Sequence, residues 1–174
     1  TGEYMHAEKI LKELRESAGN QGREGLIALN HSAENEKWLR RYDRVAAYSQ
    51  ESLDLARRGG NKGFQGGALL SLSEAKWHLG QREEAITLAE EALQMSAGMR
   101  LGAASLAGRS HMMLGLYALK ADRVPEALEH YQKSVDTLRK GRAWQALAQT
   151  YFLLGQAQRR SNMDEEAKKS YETA

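Results

Sequence analysis

Four short strings recur along the chain at nearly constant spacing: Arg44-Val45-Ala46-Ala47, Glu84-Ala85-Ile86, Glu126-Ala127-Leu128 and Glu166-Ala167-Lys168. One residue of each string serves as its anchor, and these anchors are Val45, Ala85, Ala127 and Ala167. Successive anchors lie 40, 42 and 40 residues apart. A period of this length is typical of stacked helical hairpins and not of one globular core. The sequence therefore predicts a chain of repeated units.

The residues before each anchor repeat as well. A pair ending in a small residue stands 13 and 12 positions upstream of the anchor: Ser32-Ala33, Leu72-Ser73, Leu114-Gly115 and Leu154-Gly155. Small residues let two helices approach closely. A turn is predicted five positions before each anchor, at Arg40, Gly80, Asp122 and Asn162, because Gly, Asp and Asn favour helix ends and turns.

The residues after each anchor indicate a second helix. Positions four and seven residues later share one helix face, and they hold Ser49 and Ser52, Ala89 and Ala92, Tyr131 and Ser134, and Tyr171 and Ala174. Each unit is therefore predicted to be helix, short turn, helix. Gly59 or Gly60 is expected to end one helix in a left-handed conformation, with Asn61 capping the next. Pro125 fits the first turn of a second helix, where its missing N–H costs nothing.

This pattern resembles the tetratricopeptide repeat family, whose units carry a Leu-Gly pair and an aromatic residue in the first helix, a Gly at the turn, and Ala, aromatic, Ala in the second helix. The match covers about residues 24–174 and is strongest in Leu114-Gly115…Ala127…Tyr131 and in Leu154-Gly155…Asn162…Ala167…Tyr171…Ala174. Three features depart from the family pattern. The usual first-helix Trp is replaced by Leu29, Leu69, His111 and Tyr151, the closing Pro is missing, and the period exceeds the common length. The long period is similar to the subclass found in spindle-orientation adaptors, kinesin light chains and sensor domains of bacterial signal-transducing ATPases.

The resemblance implies an all-α fold, a right-handed α-solenoid of antiparallel helix hairpins. We expect residues 1–174 to form a single solenoid. Its predicted parts are a capping or partial-repeat helix over 3–19, a degenerate repeat 1 over 24–59, repeat 2 over 61–98, repeat 3 over 102–140 and a truncated repeat 4 over 142–174.

Composition restricts the function classes. The chain has no Cys, which removes disulfides and thiol nucleophiles and suits a reducing compartment, so a cytoplasmic location is expected. Its 25 basic and 23 acidic residues give a net charge of only +2, so a nucleic-acid partner is not favoured. No apolar run is long enough to span a membrane, and no signal peptide is visible. We expect no cofactor.

One polar cluster bears on catalysis. His31 and Glu34 lie three residues apart and Glu74 and His78 four apart, so each pair shares a helix face. If the two faces align, two His and two carboxylates would supply a ligand set for a divalent metal. Such pairs are more often solvated contacts worth a few tenths of a kcal/mol. We therefore expect no metal site and no enzyme, with a metal-dependent enzyme as the alternative.

In tetratricopeptide solenoids the first helix of every hairpin lines a concave groove, so the resemblance implies which residues would meet a peptide or protein segment there. They are Asn30, His31, Glu34, Lys37 and Trp38 in the first unit, Leu70, Glu74, Trp77 and His78 in the second, Arg109, Met112, Met113 and Leu116 in the third, and Gln149, Phe152, Gln156 and Arg159 in the fourth. Aromatic residues, Met and Arg are enriched in protein interfaces. The competing interpretation is that Trp77, Met113 and Phe152 fill gaps between helices and meet no ligand.

Two further alternatives remain open at this point. The groove of a ligand-sensing domain in a signal-transducing regulator would bind a small molecule or peptide that shifts curvature or self-association. Self-association through the N-terminal stripe or the last helix is a separate alternative to the capping role, because the stripe of Ala7, Ile10, Leu11, Leu14 and Ala18 has no partner hairpin in the sequence.

Overall fold

The computed structural model describes residues 22–174, together with Lys9 and Glu13. The helix expected over 3–19 thus lies outside the described residues, apart from those two. Every regular element of the described part is a helix: α1 (Arg23–Trp38), α2 (Tyr42–Arg58), α3 (Lys62–His78), α4 (Arg82–Ala97), α5 (Ala103–Lys120), α6 (Val124–Lys140), α7 (Trp144–Arg160) and α8 (Asp164–Thr173).

The described part of the chain divides after Leu88 into two compact units. In the first unit α1 packs against α2, α2 packs against α3, and α1 also touches α3. In the second unit α5 packs against α6, α6 against α7 and α7 against α8, while α5 also touches α7. Within each unit these consecutive helices contact one another, and the first and third of them touch as well. The predicted all-α fold of successive helix hairpins, the α-solenoid type, is confirmed.

Six connections consist of three residues each and share one hydrogen-bonding pattern. In the turn after α1, the N–H of Arg41 donates to the carbonyl of Glu36 (2.9 Å) and the N–H of Arg40 donates to that of Lys37 (2.9 Å). This pair of bonds is a Schellman motif, which requires a left-handed residue at its centre. The central residues all have positive φ: Arg40, Gly60, Gly80, Asp122, Arg142 and Asn162. All four turns predicted before the anchors are therefore confirmed.

Two finer predictions at helix starts are also confirmed. Gly60 has φ 64°, and the Asn61 side chain accepts a hydrogen bond from the N–H of Phe64 at 3.3 Å. Pro125 lies in the first turn of α6. The turn at Arg142 was not among these predictions, because it joins two repeats and no anchor follows it by five residues.

The anchors lie in the core. Val45 and Ala167 are 1% exposed, and Ala85 and Ala127 are fully buried. Three of the anchors are Ala, whose single methyl group allows neighbouring helices to pack closely.

Glycines on first helices receive tyrosine rings from second helices. A Cβ placed on Gly115 would lie 2.8 Å from the Tyr131 ring, and one on Gly155 would lie 2.6 Å from the Tyr171 ring. The Tyr131 hydroxyl is buried and finds no hydrogen-bond partner in the described part of the chain. The Tyr131 ring is therefore held by packing against the glycine and not by its hydroxyl.

Small hydroxyl side chains link neighbouring helices inside each unit. In the first unit Ser52 Oγ donates to Asn30 Oδ1 at 2.9 Å, and Ser49 Oγ donates to Ser71 Oγ at 2.8 Å. In the second unit Ser134 Oγ donates to the carbonyl of Gly108 at 2.8 Å and lies 3.0 Å from Thr150 Oγ1. These bonds satisfy polar groups that would otherwise be buried at a cost of about 1–3 kcal/mol each.

A buried carboxylate joins α1 to α2. Glu36 is 1% exposed, and its two oxygens accept hydrogen bonds from Arg41 Nη1 at 3.5 Å and Arg44 Nη1 at 3.1 Å. Both arginines come from the turn and first helical turn that follow Glu36. A buried charge is tolerated only when it is paired, so this pairing fixes how α2 leaves α1.

We predict that Gly115→Ala lowers the free energy of unfolding by about 1–3 kcal/mol, because the new methyl group overlaps the Tyr131 ring. The matched control is Gly67→Ala inside α3, where no described atom lies within 4 Å of the added Cβ. It should raise stability by about 0.5–1 kcal/mol through helix propensity. Urea unfolding of both variants measures the difference, and equal effects would contradict the close contact.

We predict that the double variant Arg41→Ala, Arg44→Ala loses about 1–3 kcal/mol of stability, because it leaves the Glu36 carboxylate buried without a partner. The loss stays below that of a fully buried pair, since the arginine side chains are 45% and 47% exposed. Arg123→Ala is the control, because it breaks an exposed pair with Glu126 worth less than about 1 kcal/mol. A control as damaging as the double variant would show that burial of Glu36 does not matter.

Candidate functional site

Most of the predicted groove residues reach solvent. Eight are exposed: His31, Glu34, Trp38, His78, Arg109, Gln149, Phe152 and Arg159. Seven are half-buried: Asn30, Lys37, Glu74, Trp77, Met112, Leu116 and Gln156. The two most open aromatic residues among them are Trp38, 75% exposed, and Phe152, 52% exposed.

Leu70 and Met113 are corrections to the predicted surface. Leu70 is 3% exposed and Met113 is 8% exposed, so both belong to the core. A residue step along a helix turns the side chain by about 100°, which places Met113 inward while Met112 stays half-open. Neither Leu70 nor Met113 is available to a ligand.

In the first unit, polar residues of α1 and α3 pair with each other. Lys37 Nζ lies 2.7 Å from Glu74 Oε2, joining two residues that were predicted to share a surface. The His78 ring stacks on Tyr42 of α2, with centroids 3.9 Å apart and planes 7° apart. The Arg82 guanidinium lies 5.6 Å from the Trp77 ring centroid. This end of α3 is thus occupied by side-chain contacts within the unit.

The alternative metal site is not formed in the described part of the chain. Glu74 is paired with Lys37, and His78 is stacked on Tyr42. No group of three or more His, Cys, Asp or Glu able to hold a metal ion occurs among residues 22–174.

In the second unit, an open apolar hollow of about 300 Å³ lies between α5 and α7, lined by Met112, Gln149, Phe152 and Leu153. Three of these four residues were predicted to face a ligand. Leu153 was missed, because it follows Phe152 directly and lies outside the assumed face. One amide, Gln149, is the hollow's polar group, and it offers both a donor and an acceptor.

The hollow is held in place by the hairpin packing around it. Phe152 contacts Tyr171 of α8 with ring centroids 5.8 Å apart, and Tyr171 in turn packs against Gly155. Arg109 is exposed one helical turn before Met112, and Gln156 is half-buried one turn after Phe152. An apolar centre with polar groups beside it suits a partner that brings one apolar side chain and hydrogen-bonding backbone.

A second hollow of about 420 Å³ lies between α7 and α8, lined by Arg159, Asp164, Ala167, Lys168, Tyr171 and Glu172. Of the residues predicted to line the groove, Arg159 lines this second hollow. Its lining carries charges of both signs, so it favours no single charge on a ligand.

Two histidines of the second unit meet across the α5–α6 hairpin. His111 Nδ1 lies 3.1 Å from His130 Nδ1, and the ring centroids are 5.4 Å apart. Burial, followed by the nearby His130 and Lys133, lowers the pKa of His111 to about 4. Burial also lowers the pKa of His130, against the opposing effect of Glu126. The sequence gave no signal for this pair, since 19 residues separate its members.

No helix in the described part of the chain is long and apolar enough to cross a membrane.

Comparisons with known proteins agree with the helical hairpins. The sequence model of the tetratricopeptide repeat family matches residues 67–98 and 142–174. The comparison with curated protein sequences found no match. Among solved structures, the chain is similar to BtubC (BKLC) from P. vanneervenii, with 18% identity and a TM-score of 0.74, covering 98% of this chain and 70% of that one. That likeness shows a shared fold. The APC/C hetero-tetramer Cut9–Hcn1 also matches, with 17% identity and a TM-score of 0.45, covering 97% of this chain and 36% of that one.

We predict that the His111–His130 pair makes stability fall as the pH is lowered from about 6.5 to about 4. The unfolded chain takes up a proton on His111 in this window while the folded chain does not, so acid favours unfolding. Because His111 is only half buried, we expect a loss of about 1–2 kcal/mol, less than the full pKa shift would give.

The measurement is urea unfolding across that pH range for the parent chain and for His111→Gln. The free energy of unfolding of the parent chain minus that of His111→Gln should decrease in acid. Carboxylates titrate in both chains, so this difference isolates the effect of His111. His31→Gln, which alters an exposed histidine, is the control and should follow the parent chain. Parallel curves for the parent and His111→Gln would contradict the prediction.

Proposed function

We propose that this chain binds a peptide segment of a partner protein on the face formed by the first helices of its hairpins, α5 and α7. The match of two segments to the tetratricopeptide repeat family, whose members build protein–protein interaction modules, supports this proposal. The observation that supports this is the hollow between α5 and α7. Residues predicted from separate repeats to face a ligand, Met112 from one and Gln149 and Phe152 from the next, line the same space. Repeats of this family are generally binding scaffolds and not catalysts.

The volume of the hollow limits the size of the group that it would bind. A volume of about 300 Å³ is at the lower end of ligand pockets, which suits one or two side chains of a peptide. Burying a Leu or Phe side chain there would contribute about 1.5–3 kcal/mol. Useful affinity therefore needs further contacts, and the neighbouring Arg109 and Gln156 would supply hydrogen bonds to a carboxylate or to peptide backbone.

The side chains that line the hollow would allow it to bind peptide side chains of different shapes. Met112 has an unbranched, polarizable side chain that accommodates different apolar shapes. Phe152 offers a large flat surface at a small entropic cost, and such aromatic residues are frequent hot spots. Gln149 can donate to and accept from the partner's backbone, which would fix the orientation of the bound segment.

We predict that peptides selected from a random library against the purified chain share an apolar anchor residue. Phe152→Ala and Met112→Ala should each raise the Kd of a selected peptide by about tenfold or more, since a loss of about 1.4 kcal/mol equals a factor of ten. Fluorescence anisotropy with the labelled peptide measures the change, after circular dichroism confirms that the variants remain helical.

The matched control is Trp144→Ala, which removes another exposed aromatic residue of α7 that does not line the hollow. Its Kd should equal that of the parent chain. The proposal fails if the selected peptides bind the Phe152 and Met112 variants unchanged, if all three variants lose binding equally, or if repeated selections yield no binder.

A further inference from the structure

The two histidines that meet across the α5–α6 hairpin have a geometry that suits a metal ion. Their Nδ1 atoms, 3.1 Å apart, face each other with ring planes tilted by 41°. Two imidazole nitrogens bound to zinc at about 2.0–2.1 Å are about 3.3 Å apart at the tetrahedral angle and about 2.9 Å apart at a right angle. The observed separation lies between these values. One ion could thus contact both nitrogens once the two rings rotate to point their lone pairs at it.

We propose that His111 and His130 form a two-histidine site for a divalent transition-metal ion, bound through both Nδ1 atoms. Imidazole nitrogen favours zinc, copper and nickel, whereas calcium and magnesium require oxygen ligands. This site involves none of the four residues that the sequence suggested for a metal, and it is separate from the hollow between α5 and α7.

The charge state of the pair favours metal binding. Burial lowers the pKa of both rings, so at neutral pH the imidazoles are uncharged and protons compete weakly for the lone pairs. Three carboxylates act on the pair, from Glu90, Glu126 and Glu129, against one cation, Lys133. Lys133 Nζ is itself paired with Glu129 Oε1 at 2.5 Å, which reduces its repulsion of a metal ion.

The site supplies two ligands, because no group of three or more His, Cys, Asp or Glu able to hold a metal occurs in the described part of the chain. Water would complete the coordination in the isolated chain. A metal with open positions binds reversibly and can accept a further ligand from outside, as catalytic and bridging sites do. The competing interpretation is a hydrogen bond between neutral imidazoles, in which one Nδ1 carries the proton and the other accepts it.

The test is calorimetric titration of the purified chain with Zn²⁺ at neutral pH. We expect saturation at one zinc per chain. His111→Gln and His130→Gln should each weaken binding by at least about tenfold, since one imidazole alone loses the chelate advantage. His31→Gln and His78→Gln are the matched controls and should bind as the parent chain does. His6 remains unchanged in every variant.

Nitrogen NMR of the parent chain makes the test independent of how well the variants fold. Zinc should shift the Nδ1 resonances of His111 and His130 together and leave their Nε2 protons in place. The inference is overturned if millimolar zinc leaves both Nδ1 resonances unchanged, if zinc shifts the resonances of other histidines only, or if a folded His111→Gln or His130→Gln variant binds zinc as tightly as the parent chain.

Discussion

Close packing of a glycine against a tyrosine ring is the contact on which the second unit depends. Gly115 accepts the Tyr131 ring and Gly155 accepts the Tyr171 ring, at distances that leave no room for a Cβ. The same approach buries the small anchors Ala127 and Ala167 beside these rings. Because the rings set how α6 lies on α5 and α8 on α7, the side chains on the remaining faces are positioned as a consequence.

The first unit uses polar contacts where the second uses rings. Ser49 occupies the position that corresponds to Tyr131, and it bonds to Ser71 instead of filling a gap. Glu36 bonds to the two arginines that follow it, so a buried charge determines the turn between α1 and α2. The hydrogen bonds and ion pairs of the first unit require particular donor and acceptor directions. The packing of a tyrosine ring against glycine in the second unit depends on shape alone. Both units therefore contain the same helix hairpins, but different side-chain contacts hold them together.

The two sites proposed for the second unit follow from this packing in different ways. The hollow lies between α5 and α7, where consecutive first helices touch, and Phe152 reaches it while contacting Tyr171. The histidine pair instead lies between the two helices of one hairpin. A ligand on the first-helix face and an ion within the hairpin would therefore contact α5 at adjacent residues, His111 and Met112. Binding at one place would be coupled to the other through α5, which both sites share, and through the packing of α6 on α7.

Much of the fold was predictable because its determinants are local. Schellman turns and small anchors depend on residues close together in sequence, so their recurrence at about 40 residues identified the hairpins and the turns at Arg40, Gly80, Asp122 and Asn162. The turn at Arg142 joins two repeats and no anchor follows it by five residues, so the four recurring strings did not identify it.

The sequence by itself determined the order of helices and which helix face would be apolar, since both follow from periodicity. Only the tertiary structure decided which residues of that face remain open. Met112 stays accessible while Met113 and Leu70 are buried, because their exposure depends on neighbouring helices. The meeting of His111 with His130 was likewise decided in three dimensions, since the approach of α6 to α5 brings distant residues together and no local pattern records it.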